Sequence, residues 1–335
     1  MIYGVLALAC AFGSAAPLAA QQDSPAPAAV RIVTDEMGRA VRVPLEVRRI
    51  VSLAPNMTET IYALGAQDRL VGVSSYCDWP AEAQQKAKVG GTTNPSIEQI
   101  VALKPDLVLA AKTANRLETV EALERLGIPV WTNNPQTVDD VFSSTRRIAE
   151  LIGADAAGDA LVEKLRVRLA DLRSRLEGRP PKTVLFVVWH DPLITIGRNT
   201  FLADAVRTAG ATLAVDLEQD WPRLSLEEVV RVQPEYLVFA ASHSQEIKPT
   251  LEDLRTRPGW RSLNAVRDAR AAVISDAVNR PAPRLIDAIE ELARQLHPEA
   301  FAEEKENKKR KIENGRPLRS STFLPNFQFP SSSFR

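Results

Sequence analysis

Histidine and cysteine are the residue types that most often do chemistry, and both are scarce in this chain. The histidines are His190, His243 and His297, and no two of them lie one helical turn apart as a metal-binding HExxH pair requires. The cysteines are Cys10 and Cys77. Cys10 lies in an apolar leader, so Cys77 stands alone in the mature chain, unable to form an internal disulfide or a zinc site. Cys77 reads as a small unreactive residue. There is no Walker loop, no G-x-G-x-x-G and no G-x-S-x-G. These absences argue against an enzyme and point to binding as the activity.

Aromatic residues make up 6% of the chain, which makes their placement informative. Tyr76 and Trp79 sit in Ser74-Ser75-Tyr76-Cys77-Asp78-Trp79-Pro80, directly after a short apolar strand. Trp221 precedes Pro222 and a helix, and Trp189 ends a strand ahead of His190-Asp191-Pro192. Open α/β sheets bind ligands beyond the carboxyl ends of their strands. Large rings with a polar handle suit a bulky, partly apolar ligand there, although packing within a lobe explains any one of them equally well. Trp131 and Trp260 read as core. Asp276, Asn279, Arg280 and Arg284 follow the last strand in a loop fixed by two prolines, where they could grip the amide or carboxylate edges of a ligand or simply cap a helix in solvent.

The elements that must position these residues alternate between short apolar strands and amphipathic helices, the pattern of a mostly parallel sheet with helices on its faces. A β-hairpin is expected around Glu36-Met37-Gly38-Arg39. A strand follows at 50–54, and Asn56-x-x-Glu59 reads as a capping box opening the next helix. Another strand is expected from Thr183 to Trp189. Residues 154–178 run without an internal proline, with Leu161, Leu165, Leu169, Leu172 and Leu176 on helical spacing. At ~1.5 Å per residue that helix spans roughly 35 Å, a strut about one domain long that restrains hinge motion more than strand crossovers would.

An internal repeat orders the whole. Residues 96–111 read SIEQIVALKPDLVLAA and residues 225–240 read SLEEVVRVQPEYLVFA, with Ser, Glu and Pro recurring at an offset of 129 (227 minus 98). Two pseudo-equivalent lobes are implied: 31–153 and 180–300, joined by a helix at 154–179. The repeat pairs Glu98 with Glu227, one acid per lobe in the first helical turn. The macrodipole alone suffices to favour them there, by about 0.3–1 kcal/mol. The alternative is that two equivalent acids meet two basic sites on a two-fold partner.

Length and composition agree with a soluble two-lobed protein. The chain has 335 residues and a formal net charge of zero, so it carries no electrostatic footprint for nucleic acid. That zero hides an asymmetry: residues 303–335 hold eight Lys/Arg against four Glu, leaving the rest acidic by four. Residues 1–20 read as a signal peptide with cleavage near Ala20, or as a leader whose Cys10 is lipid-anchored. Residues 21–30 form a Pro/Ala linker. Residues 301–335 have the charge-rich, then Ser/Pro/Phe-rich composition of a disordered tail.

Three stretches carry a family resemblance: Arg49-Ile50-Val51-Ser52-Leu53-Ala54-Pro55 with Thr58-Glu59, then Val71 to Tyr76, then IVALKPDLV at 100–108. Over about residues 31–298 the chain resembles the periplasmic binding proteins for cobalamin and iron-siderophores, α/β proteins of two Rossmann-like lobes joined by one long helix. The Ser-Ser-Tyr-x-Asp loop, the Trp-Pro ahead of the Ser-x-Glu helix and Ser-Asp-x-x-x-Arg-x-x-Pro-Arg resemble the cobalamin-binding branch. The resemblance implies capture of cobalamin or a related corrinoid without chemistry, with Tyr76, Trp221, Asp276 and Arg280 at the ligand; the placement of the rings adds Trp79 and Trp189 to the expected ligand-binding residues. His190 is a candidate to face cobalt. It further implies a periplasmic protein, monomeric when free, whose Glu98 and Glu227 dock on a permease dimer served by a cytoplasmic ATPase. Thr92 stands where the repeat places the counterpart of Trp221 (221 minus 129), and Ala111 also occupies a position that can be aromatic. A ferric siderophore or haem is the other ligand class, and a secreted sensor or interaction module the other kind of function.

Overall fold

The computed structural model describes residues 29–241 and 251–302. The leader with Cys10, His243 and the tail from Glu303 lie outside the described residues. The chain opens with the expected hairpin, β1 (Val30–Thr34) and β2 (Ala40–Pro44), antiparallel and closed by a turn in which the Asp35 carboxylate accepts from the amides of Met37 and Arg39. Then come β3 (Ile50–Ser52), α1 (Pro55–Ala63), β4 (Leu70–Val73), α2 (Ile97–Ala102), β5 (Leu107–Ala111), α3 (Leu117–Arg125), β6 (Val130–Asn133), α4 (Val138–Leu151) and α5 (Asp155–Leu176). The second half runs β7 (Lys182–Phe186), β8 (Trp189–His190), β9 (Leu193–Ile194), α6 (Phe201–Thr208), β10 (Ala211–Leu213), α7 (Leu226–Val232), β11 (Tyr236–Ala240), α8 (Leu251–Thr256), α9 (Asn264–Arg267), β12 (Ala271–Ile274) and α10 (Leu285–Leu296).

Two four-stranded parallel sheets result, ordered β4-β3-β5-β6 and β10-β7-β11-β12. Renumbered within its own lobe, each is 2-1-3-4, so the sequence repeat is a topological one. The repeated segment supplies α2–β5 in one lobe and α7–β11 in the other. Ser96 caps α2 by accepting from the Gln99 amide, and Ser225 caps α7 by accepting from the Glu228 amide. The residues before the two repeat prolines, Lys104 and Gln233, both take left-handed backbone, at φ 46° and 48°. That is rare for residues with a side chain, and it recurs at the same offset of 129 (233 minus 104).

Each sheet is buried on both faces. Ile50, Leu107 and Leu109 pack with Met57 and Ile61 of α1 on one side of the first sheet; Val51, Val108 and Val130 pack with Val120 and Leu123 of α3 on the other. Strands covered on both sides read as near-continuous apolar runs, as these do. The long helix α5 buries Val162, Leu165, Leu169 and Leu172, a stripe at helical spacing, into the core of the second lobe. Helix α4 shares the bridging. Val138, Val141 and Phe142 at its start join the second-lobe core, and Ile148, Ala149 and Leu151 at its end join the first. Gly158 lets α4 and α5 meet closely, because a Cβ there would fall 2.4 Å from the Cβ of Ala149. Among the described residues no helix is long and apolar enough to cross a membrane.

Two local expectations are corrected. Helix α1 has no capping box: its N-cap is Ala54, no side chain caps it, and Glu59 is buried and turned to other partners. The strand expected to reach Trp189 ends at Phe186. There the Thr195 hydroxyl donates to the Phe186 carbonyl at 2.7 Å, and the chain doubles back through Asp191-Pro192 into the small β8–β9 hairpin.

Candidate functional site

The first lobe contributes a loop and a helix. The loop after β4 is pinned from below by Cys77, which is buried. Thr58 donates to its sulfur at 3.1 Å, the Ser74 hydroxyl lies 3.2 Å from it, and Lys88 donates to its carbonyl. Burial pushes the thiol above the ordinary cysteine value against the hydrogen bonds from Ser74 and Thr58, which leaves it a poor nucleophile. With Cys77 held inside, its neighbours point outward: Tyr76 is 63% exposed and Trp79 37%. Helix α1 begins at the carboxyl end of β3, and its residues 56–61 are all buried. A carboxylate on a helix buried in this way has to be paired.

The second lobe answers with two loops. One is the chain from Gln219 to Leu224, laid along the β8–β9 hairpin and its continuation. Gly197 donates to the Asp220 carbonyl, Thr195 to that of Pro222, and Leu224 to that of Leu193. The approach needs a glycine, since a Cβ on Gly197 would sit 1.8 Å from the carbonyl oxygen of Gln219. This segment holds Trp221 out at 48% exposure. Trp189 is half-buried, and its indole N–H is spent on the Asp191 carbonyl at 2.7 Å. The adjacent His190 ring lies 6.0 Å from the Trp189 ring. Burial pulls its pKa below the ordinary histidine value, and the nearby Arg257 adds to that against Asp191.

The other loop follows β12 and crosses to the first lobe. Arg280 donates to Glu59 (Nη1 to Oε1, 2.7 Å) and forms ion pairs with Asp78 at 2.7 Å and Asp276 at 3.1 Å. Arg284 grips the same Glu59 with two nitrogens (Nε to Oε2, 3.0 Å; Nη2 to Oε1, 2.9 Å) and reaches Asp276 at 3.2 Å. Its guanidinium lies over the Trp79 ring, 4.5 Å from the centroid. Glu59, with a side chain only 2% exposed, is the hub of the cluster. Burial works against the charge of both arginines, and the carboxylates around them outweigh it, so both sit above the ordinary arginine value. Burial likewise opposes the charge on Asp78, but the Arg280 hydrogen bond and charge prevail and hold its carboxyl below the usual range. Two cations stand against three anions.

The structure thus brings Trp79, Asp276, Arg280 and Arg284 together and adds two participants: Glu59 and Asp78. Tyr76, Trp189 and Trp221 stand at loops on the carboxyl-end side of their sheets, outside the hydrogen bonds and ring contacts of the cluster. Glu59 escaped the sequence reading because Asn56-x-x-Glu59 matches a capping box, and the mostly polar run Asn56 to Ile61 gives no hint in sequence that it is buried. Glu98 and Glu227 are exposed in the first turns of α2 and α7 and make no hydrogen bond or ion pair to any described residue. Among the described residues no group of three or more His, Cys, Asp or Glu is placed to hold a metal ion.

Comparison with known proteins identifies the family and the fold. Residues 50–277 fit the family described as periplasmic binding protein. A substrate-binding lipoprotein of an ABC transporter from Bacillus subtilis, the uncharacterized YvrC, is 32% identical over 279 residues, covering 81% of this chain and 87% of that one. The crystal structure of the periplasmic vitamin B12 binding protein BtuF of Vibrio cholerae is 28% identical with a TM-score of 0.66, covering 75% of this chain and 96% of that one. The periplasmic heme-binding protein RhuT from Roseiflexus, in its apo form, is 27% identical with a TM-score of 0.67, covering 76% and 99%.

Proposed function

The chain belongs to the periplasmic binding protein family, whose members carry solutes rather than transform them, and we propose that it captures cobalamin or a related corrinoid between its lobes and hands it to an ABC permease. One observation carries the choice of ligand: the charge balance of the cluster between the lobes. Arg280 and Arg284 are outnumbered by Glu59, Asp78 and Asp276, and all five are already paired. Such a cluster leaves neither arginine free for the two carboxylates of haem or for an anionic ferric siderophore. It suits a large macrocycle whose rim carries neutral amides, which can accept from the guanidiniums and donate to the carboxylates. Tyr76, Trp79, Trp189 and Trp221 supply ring faces for the macrocycle, and Asp276 and Arg280 supply the edge contacts. The solved vitamin B12 binding relative supports the same assignment.

Haem binding is the second reading. It is favoured by the exposed phenol of Tyr76, which could ligate a ferric haem, and by the similarity to a heme-binding protein. Delivery rests on Glu98 and Glu227, two exposed acids at equivalent places on the two lobes, offered to basic residues of a permease dimer coupled to a cytoplasmic ATPase. Export to the periplasm, by a cleaved leader or with a lipid anchor at Cys10, completes the assignment.

Isothermal titration with cyanocobalamin, cobinamide, haemin and a ferric siderophore tests the ligand. The expected result is one-to-one heat with both corrinoids at micromolar protein. Silence with the corrinoids and heat with haemin would transfer the assignment to haem.

A further inference from the structure

The cluster between the lobes contains a contact that ligand binding alone does not call for. Trp79 belongs to the first lobe, yet the guanidinium that lies on its ring, 4.5 Å from the centroid, comes from Arg284 of the second. Arg284 is not free to choose that place. It is held by two hydrogen bonds to Glu59, one to each carboxylate oxygen, the planar fork that fixes a guanidinium in orientation as well as position. Glu59 in turn is fixed by burial on α1. Asp276 steadies the far side of the guanidinium at 3.2 Å. Each link restricts the next: a buried carboxylate orients an arginine, and the arginine covers one face of a tryptophan.

We propose that Glu59 and Arg284 are positioning residues that act through this relay to hold the Trp79 ring in place as a wall of the cleft. The inference rests on reading that cleft as the ligand site. The relay spans both lobes, so the wall is set only while the lobes are juxtaposed. Opening the lobes breaks the Glu59 fork and frees the ring together with Arg280. Loss of the bound solute and loss of the wall are thereby the same event, which suits a carrier that must release its cargo when a partner pulls its lobes apart. Neither Glu59 nor Arg284 needs to touch the ligand for this.

The relay is read first without ligand. The protein has five tryptophans, so labelling with 5-fluorotryptophan gives five ¹⁹F resonances, and Trp79→Phe identifies the one that matters. The relay predicts that Arg284→Met and Glu59→Gln each shift and broaden the Trp79 resonance while the other four stay. It also predicts that combining them adds nothing, because both break one chain, and that Arg284→Lys, which keeps the cation without the fork, falls between. A Trp79 resonance unmoved by Arg284→Met in the folded protein, or two effects that add, overturns the proposal; if Arg284→Met does not fold, an Arg284→Lys resonance identical to wild type does so. With ligand, cyanocobalamin affinity should weaken about 2- to 30-fold in Arg284→Met, chiefly through faster dissociation. If wild type binds no corrinoid, the proposed ligand fails, while the ligand-free spectra still decide the relay.

Discussion

Replacing Glu59 by glutamine tests the electrostatic centre of the fold. Three hydrogen bonds from arginines converge on this carboxylate at 2.7, 2.9 and 3.0 Å, and hydrogen bonds to charged groups contribute about 1.5–3 kcal/mol each. Glutamine keeps one carbonyl acceptor but turns an N–H donor toward two guanidiniums that are themselves donors. The arginines retain Asp276 and Asp78, so the losses do not simply sum, and a net destabilisation of about 2–4 kcal/mol is expected. At about 2–4 °C per kcal/mol for a unit of this size, the melting temperature should fall by roughly 4–15 °C. Thermal melts followed by circular dichroism measure this, with Glu98→Gln as the control. Glu98 is exposed and pairs with no described residue, so its substitution should change stability by no more than about 0.5 kcal/mol. A Glu59→Gln protein that melts with the control refutes the reasoning and returns Glu59 to the solvent side of its helix.

Trp221→Ala should weaken corrinoid binding about 10- to 100-fold without lowering the melting temperature, because the ring is half exposed and supports no core; titration and melts on one sample check both. Reversing Glu98 and Glu227 together to lysine should abolish stimulation of the reconstituted permease's ATPase while leaving ligand affinity as in wild type, and ATPase activity that survives would remove the docking assignment. The Asp78 carboxyl is held below its ordinary value, so its stabilisation is complete above about pH 4 and is lost as pH falls through the lower folded value. Melts across that range should therefore show Asp78→Asn less stable than wild type at neutral pH and the two converging in acid. Gly197→Ala would place its Cβ 1.8 Å from the Gln219 carbonyl oxygen, displacing the segment that carries Trp221, and both melting temperature and ligand affinity should drop.

What could be read from sequence was local or periodic. The repeat at 96–111 and 225–240 announced two equivalent lobes because capping serines, helix-ending prolines and apolar strands are short-range signals, and the matching left-handed Lys104 and Gln233 show how far the equivalence extends. The leucine stripe of α5 announced a long helix for the same reason. The Tyr76–Trp79 loop and the Asp276–Arg284 loop were visible as candidates, each on its own. What stayed hidden was their meeting. Glu59 and Arg284 are 225 residues apart, and no pattern within one chain signals an ion pair at that separation. Glu59 was further disguised by a spacing that mimics a helix cap. The early end of β7 was hidden as well, because Val187 and Val188 continue an apolar run that the backbone leaves at Phe186.

The most direct test of the central claim is a crystal structure of the protein grown with cyanocobalamin. The account predicts one corrin ring between the lobes, its faces against Tyr76, Trp79 and Trp221 and its amide rim within hydrogen-bonding distance of Asp276 and Arg280. A cleft empty of corrinoid at saturating ligand, or a corrinoid bound away from those residues, would contradict it.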